Sequence, residues 1–414
     1  VVRAYFRHAA RFTRPARLFL LAEAIYGVGQ TAVWVLRNLY LKACGFEEDF
    51  IGLTLAVQSL GMGIVVVAAG PWMDRMRFRP FQVAGVVALA AGLVGVTLHR
   101  SHAGVLAACF VSGLGLALLD VGSAPFLVRH SSAEERPYLF GVATALSPAS
   151  GLVATLGIKA GALAWGEHDA SYGRMLLLAA GITAAALAAL ALVREVAPEP
   201  APREGDPFDW RSAFRFSLPE LAFGLGAGLT IPFINLYFRN RFHIPAGDIG
   251  LYYSAAQALM MVAFLLAPVV AARLGSVRTI VIFQLSSIPF FLLLAFTTSP
   301  GIAVAAFLLR HACMNMIHPV GAHFAMEVIH PRQRARVNGL KQAANKLSWV
   351  VANFAGGRLV ERGALFPAAV DGFTTTMLIT IVLYVAGSAM YWRFFGREPA
   401  GRVPTPEGEP APGA

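Results

Sequence analysis

From residue 17 onward the chain alternates long apolar runs with short polar breaks. IGLTLAVQSLGMGIVVVAA (51–69), FQVAGVVALAAGLVGVTL (81–98) and MLLLAAGITAAALAALALV (175–193) carry no charge at all. At 1.5 Å per residue, about 20 apolar residues cross a hydrocarbon layer of roughly 30 Å, so each run predicts a membrane-crossing helix. Twelve runs stand between charged or Pro/Gly-containing breaks, near 17–41, 50–69, 80–98, 104–128, 137–160, 173–193, 217–239, 248–271, 278–297, 301–328, 336–360 and 372–393. They are numbered spans 1 to 12. The first is too long for a signal-peptide core and is kept as a spanning helix.

Composition agrees with the pattern. Of 414 residues, 57% are hydrophobic and 14% charged, against about a quarter charged in an ordinary soluble domain. That composition excludes a soluble fold and predicts an all-α, multi-pass membrane protein. Cys44, Cys109 and Cys313 form no disulfide framework and no metal-ligand spacing. No GxxxxGK[ST] phosphate loop occurs, so nucleotide-driven work is not expected. No catalytic residues, metal ligands or cofactor are expected either.

The long segment REVAPEPAPREGDPFDWRSAFRF (194–216) divides the spans six and six. The expected organisation is a first six-helix bundle over 1–193, a solvated linker over 194–216 and a second bundle over 217–395. DWRSAFRF is a candidate for lying flat on the membrane surface, and 396–414 reads as a disordered tail. Arg3, Arg7, Arg11, Arg14, Arg17, Arg75, Arg77, Arg79, Arg129 and Arg136 cluster in the breaks on one side, as do Arg194, Arg203, Arg211, Arg215, Arg332, Arg334 and Arg336. The other side is poorer in bases, with Lys42, Arg100, Arg174, Arg239, Arg241, Arg358 and Arg362. By the positive-inside rule both termini face the cytoplasm. The net charge of +11 then reflects topology and anionic lipid heads, with no nucleic-acid partner. Nearly all bases being Arg, with abundant Ala and Gly, hints at a bacterial source and hence a bacterial inner membrane.

The halves repeat. AEAIYGVGQ (22–30) matches PELAFGLGA (219–227), and NLY at 38–40 recurs at 235–237, both at an offset of 197. IGL at 51–53 recurs at 249–251, and ERPYLFGV (135–142) meets QRARVNGL (333–340), both at 198. Six spans per copy make the repeats parallel about an axis along the membrane normal.

Between spans 2 and 3 stands GPWMDRMRFRP, with Gly70, Asp74, Arg75 and Arg79 in the order Gly, three residues, Asp-Arg, then further bases. At this position, and over its whole length, the chain resembles the major facilitator superfamily. It departs from that family's loop motif at Arg77 and Pro80, and PVVAARLGSVR (268–278) is a decayed second copy. The resemblance implies alternating access, with Asp74 facing the start of span 11 as a conformational gate. It also implies that spans 1, 4, 7 and 10 line a central cavity, flanked by 2, 5, 8 and 11. SPASGL (147–152) keeps Pro148 and Gly151 of the antiporter motif, which favours export.

Charges within spans are costly unless they face a partner or a cavity. They are Glu23 and Arg37 (span 1), Asp120 (span 4), Lys159 (span 5), Arg310 (span 10), and Lys341 and Lys346 (span 11); spans 3, 6, 9 and 12 have none. Glu23, Tyr26, Gln30, Trp34 and Arg37 fall on one helical face. His311, Asn315 and His318 share a face of span 10 beside Arg310; Lys341, Asn345 and Trp349 do so in span 11 beside Lys346. The expected substrate contacts are Tyr26, Gln30, Trp34, Arg37, Arg310, His311, Asn315, Asn345 and Lys346. Arg310 and Lys346 lie near mid-depth with no obvious mid-depth carboxylate, which predicts an anionic or zwitterionic solute. Asp120 is the expected proton-coupling group, with Glu23 in reserve. Glu220 reads as the acid of a Ser-x-x-Glu capping box, Lys159 and Lys341 as snorkelling bases, and His318 as packing. The expected function is secondary transport of a small organic solute, coupled to protons, by a monomer whose other partners are membrane lipids. The alternatives are efflux of cationic or apolar drugs, a lipid flippase, or a non-transporting sensor with the same fold.

Overall fold

The computed structural model describes residues 11–72, 77–132, 134–193, 208–330, 333–362 and 371–397. Asp74, Arg75, most of the linker and nearly all of the tail lie outside them. Within them the chain is a bundle of helices.

Span 1 is Arg14–Val35 followed, after a break at Leu36, by Arg37–Ala43. Span 2 is Glu48–Trp72, span 3 Phe78–Leu98, span 4 His102–Arg129, span 5 Arg136–Trp165 and span 6 Asp169–Ala191. Span 7 is Trp210–Thr230, a 3-10 turn at Ile231–Phe233, then Ile234–Phe242. Span 8 is Ala246–Leu274, span 9 Ser276–Phe296, span 10 Pro300–Val328, span 11 Arg334–Arg362 and span 12 Gly372–Phe395. Eleven of these helices are long and apolar enough to cross a membrane; Arg334–Arg362 is long enough but too polar.

Side chains set several helix starts. Thr13, Ser101 and Asp371 accept hydrogen bonds from the amides of Ala16, Gly104 and Thr374, satisfying donors that a first turn leaves unpaired. Asp209 does the same for span 7, accepting from Ser212. This corrects two expectations. Span 7 starts at Trp210, so Glu220 lies three turns inside the helix and caps nothing. DWRSAFRF, whose side chains rotate around a continuous helix, forms the opening turns of span 7 rather than a separate surface segment.

The internal repeat is visible in the packing. Spans 3 and 4, 2 and 4, 1 and 5, 1 and 6, and 3 and 6 pack on one another, and so do 9 and 10, 8 and 10, 7 and 11, 7 and 12, and 9 and 12. Between the two sets run the contacts of span 2 with span 11 and of span 5 with span 8, which exchange under the same six-span shift. Phe19 and Phe126, ring centres 5.2 Å apart, are matched by Phe216 and Phe324 at 6.1 Å, at repeat-equivalent positions. The end of the bundle holding residues 11–14 and 395–397 is called proximal below, and the end holding the 1–2, 5–6, 7–8 and 11–12 connections distal.

A candidate translocation site between the two helix sets

Hydrogen bonds join the first and second sets in the distal half. Glu167, in the 5–6 connection, accepts from the amides of Ala246 and Gly247 at 2.9 Å each, capping span 8 from the opposite set. Glu361, at the end of span 11, accepts from the Glu48 amide at 2.8 Å and caps span 2 in the same crosswise fashion. A carboxylate at a helix start also meets the positive end of its dipole. Lys159 reaches Asp248 at 2.5 Å, and Asn240 donates to Glu48 at 2.8 Å. Deeper, Asn353 donates to Ser59 at 3.0 Å, and the hydroxyls of Thr155 and Ser254 stand 2.6 Å apart. Lys159 is thus an ion-pair partner across the seam, where snorkelling was expected.

Backbones touch where span 2 crosses span 11. A Cβ on Gly52 would come 2.6 Å from the Gly357 Cα, and one on Gly357 would come 2.7 Å from the Gly52 Cα. Two glycines let the helices approach to a distance no side chain permits.

Proximal to this seal, the Trp34 and Trp349 rings meet edge to face, centres 5.7 Å apart at 85°, one from each set. One turn or so below lie Gln30, Asp120 and Lys346. Asp120 is exposed, yet protein surrounds it, so it borders an internal space. The Gln30 amide reaches its carboxyl from span 1, and Lys346 of span 11 lies within electrostatic reach of it. Lys346 leaves its helix opposite Gly63 of span 2. Glu23, a further turn proximal, lies within electrostatic reach of Asp120 and of the buried Tyr26 ring, and its Oε2 is buried without a hydrogen-bond partner. Glu220, its repeat mate, is instead matched by Lys341 at 3.0 Å and by Asn345 at 3.4 Å. The second set therefore neutralises its glutamate internally, and the first set does not.

Other expected site residues sit elsewhere. Arg37 follows the break in span 1 and is 2% exposed beside Cys109 and Asn38, away from the Trp34 face. Arg310 is 4% exposed; it donates to the Tyr384 hydroxyl at 3.2 Å and stacks over Phe291 at 4.8 Å, so it points between spans 9 and 12. His311 and Asn315 are half-buried on span 10, where Asn315 donates to the His311 carbonyl at 2.7 Å. Asn345 is committed to Glu220. Of the expected gate, Gly70 lies in span 2 and Arg79 in the first turn of span 3, while Asp74 and Arg75 are outside the described residues.

The sequence profile of the Major Facilitator Superfamily matches residues 19–222 and again 216–413. Two curated relatives are multidrug resistance proteins MdtH, from Aeromonas salmonicida at 26% identity and Aeromonas hydrophila at 24%, each over 148 residues. Those matches cover 35% of this chain and 37% of each relative's length. Among solved structures, a D-xylose-proton symporter superposes with a TM-score of 0.74 at 15% identity, covering 92% of this chain and 97% of that one. The nucleoside transporter NupG gives 0.67 at 13% identity, covering 93% and 99%. A bacterial homologue of the human lysosomal transporter Spinster, in an inward-facing and unoccupied conformation, gives 0.70 at 13%, covering 92% and 96%.

Proposed function

Because the chain belongs to the major facilitator superfamily, we propose that it is a proton-coupled exporter of small amphipathic organic solutes, working by alternating access from a bacterial inner membrane. On this reading the proximal end, rich in Arg, is the cytoplasmic one, and the distal seal closes the outer side.

The observation that carries the reading is Asp120, water-accessible at the interface and within electrostatic reach of Lys346 from the other set. Protonation of Asp120 removes an attraction between the two halves, so proton binding is linked to the balance of states. Glu23 is the second carboxyl in reach, and its unpartnered oxygen suits a group that holds a proton. Lys346 lies within reach of the Asp120 carboxylate, and Arg310 is turned into its own bundle onto Tyr384 and Phe291, away from the space between the two sets. That favours a zwitterionic or cationic solute over an anion, and it agrees with the multidrug relatives.

The test is Asp120→Asn in proteoliposomes. Substrate exchange is retained, while uphill transport loses its dependence on a pH gradient. An Asn variant that still concentrates solute with the wild-type response to pH overturns the coupling role.

A further inference from the structure

Span 10 carries the repeat mate of Asp120. His318 stands at an offset of 198 from it, the offset that also relates the starts of spans 5 and 11. Packing was expected of this residue, yet His318 is exposed, as Asp120 is. Its ring makes no hydrogen bond to protein among the described residues. Glu220 of span 7 and Lys341 of span 11 lie within its electrostatic reach, so its open side is turned inward and not to lipid. The pair Glu23 and Asp120 of the first set thus recurs in the second as Glu220 and His318. Span 11 serves both places, with Lys346 in reach of Asp120 and Lys341 in reach of His318.

The charges around the His318 ring leave it uncommitted. Glu220 and Lys341 pair with each other at 3.0 Å and largely cancel. On span 10 itself the titratable neighbour is His311, beside Arg310, and Arg310 is turned onto Tyr384. Spans 8 and 9 pack on span 10 and bring no titratable or charged group into reach of His318 among the described residues. The first set presents Glu23 and Asp120, with one Glu23 oxygen unpartnered. One wall of the internal space is therefore acidic, and the other holds a base committed to no acid.

Imidazole is the side chain whose charge changes between about pH 5 and 8. We infer that His318 is a second proton-binding group of the internal space, the basic counterpart of Asp120, and that its proton draws the two walls together on the proximal side. This rests on the alternating-access and proton-coupling reading above. Attraction between an imidazolium on one set and carboxylates on the other grows as the walls approach and water leaves. It stabilises the state with the proximal side closed and the distal side open, and closure raises the affinity of His318 for its proton by the same factor. A proton on Asp120 removes that attraction, so the two sites act in opposite senses.

The test uses the full-length protein in nanodiscs, without solute or gradient, with spin labels on the proximal ends of spans 4 and 10. Lowering the pH from about 8 to about 5.5 raises the population with short proximal distances about fivefold or more. His318→Asn and His318→Gln abolish the rise. His318→Arg, charged throughout, keeps the short-distance population high at both ends of the range. The proposal is overturned by the absence of a rise in the wild type, or by an undiminished rise in a folded neutral variant. Uphill transport by Asp120→Asn tests the coupling reading separately, because the solute-free response of His318 needs no transport to be read.

Discussion

Asn38 and Asn235 exchange hydrogen bonds across the seam. Asn38 Nδ2 donates to the Pro232 carbonyl at 2.7 Å, and Asn235 Nδ2 donates to the Val35 carbonyl at 2.8 Å. Both asparagines are buried, at 1% and 0% exposure. Both acceptors lie at the breaks of spans 1 and 7, where the regular helical ladder is interrupted. The arrangement is its own image under the repeat, since 35 and 232 differ by the same 197 as 38 and 235. Each break thus supplies an acceptor that the other half's asparagine uses.

Removing either donor leaves a buried carbonyl unpaired, at about 1–3 kcal/mol. Asn38→Ala and Asn235→Ala are therefore expected to shift the balance toward distal-open by similar amounts. Double electron–electron resonance between labels on the 1–2 and 7–8 connections reads the shift. A large effect from one and none from the other refutes the symmetric role.

The crossing of Gly52 and Gly357 gives a steric counterpart. Gly52→Ala places a methyl group 2.6 Å from a backbone carbon, so spans 2 and 11 must part for it. The same distance measurement should show loss of the distal-closed population, with Gly357→Ala behaving alike. Gly157, whose added Cβ meets nothing within 4 Å, is the control: Gly157→Ala leaves the balance unchanged.

Arg310 and Lys346 should separate by assay. Arg310→Gln loses a bond to Tyr384 and its stacking on Phe291, so thermal stability falls by about 2–4 kcal/mol while solute preference among correctly folded molecules persists. Lys346→Gln removes the charge opposite Asp120. It is expected to change the pH dependence of transport and to be non-additive with Asp120→Asn in a double-mutant cycle. Additive effects of those two would show that the charges act separately.

The helices, the duplication and the family were legible because each leaves a linear trace: run length, offset matches, and the spacing of Gly70, Asp74, Arg75 and Arg79. The NLY repeat even marked Asn38 and Asn235, though as a match and not as a clasp. What stayed hidden depends on where a helix face points. Periodicity aligned Arg37 with Trp34, but the break at Leu36, with no Pro or Gly to announce it, turned Arg37 aside. Mid-depth made Arg310 look like a ligand; only Tyr384 and Phe291, distant in sequence, show that it faces its own bundle. SLPE at 217–220 imitates a capping box in letters, and the cap that operates is Asp209, eight residues before Ser217. Glu167 and Glu361 drew no expectation from the sequence, because capping a helix of the other half has no local signature.

Span 11 has a consequence for how the protein is made. Its 29 residues include Lys341, Lys346, Arg358 and Glu361, and each central cation costs about 2.5–3.5 kcal/mol on leaving the translocon alone. Lipid is a poor host for it. Span 7, which supplies Glu220 for Lys341, and span 2, which supplies Ser59 for Asn353, have both been synthesised by then. The second-last helix is thus accepted into the bilayer by earlier parts of the same chain, and variants that spoil those receptors should be lost to membrane proteolysis before transport can be measured.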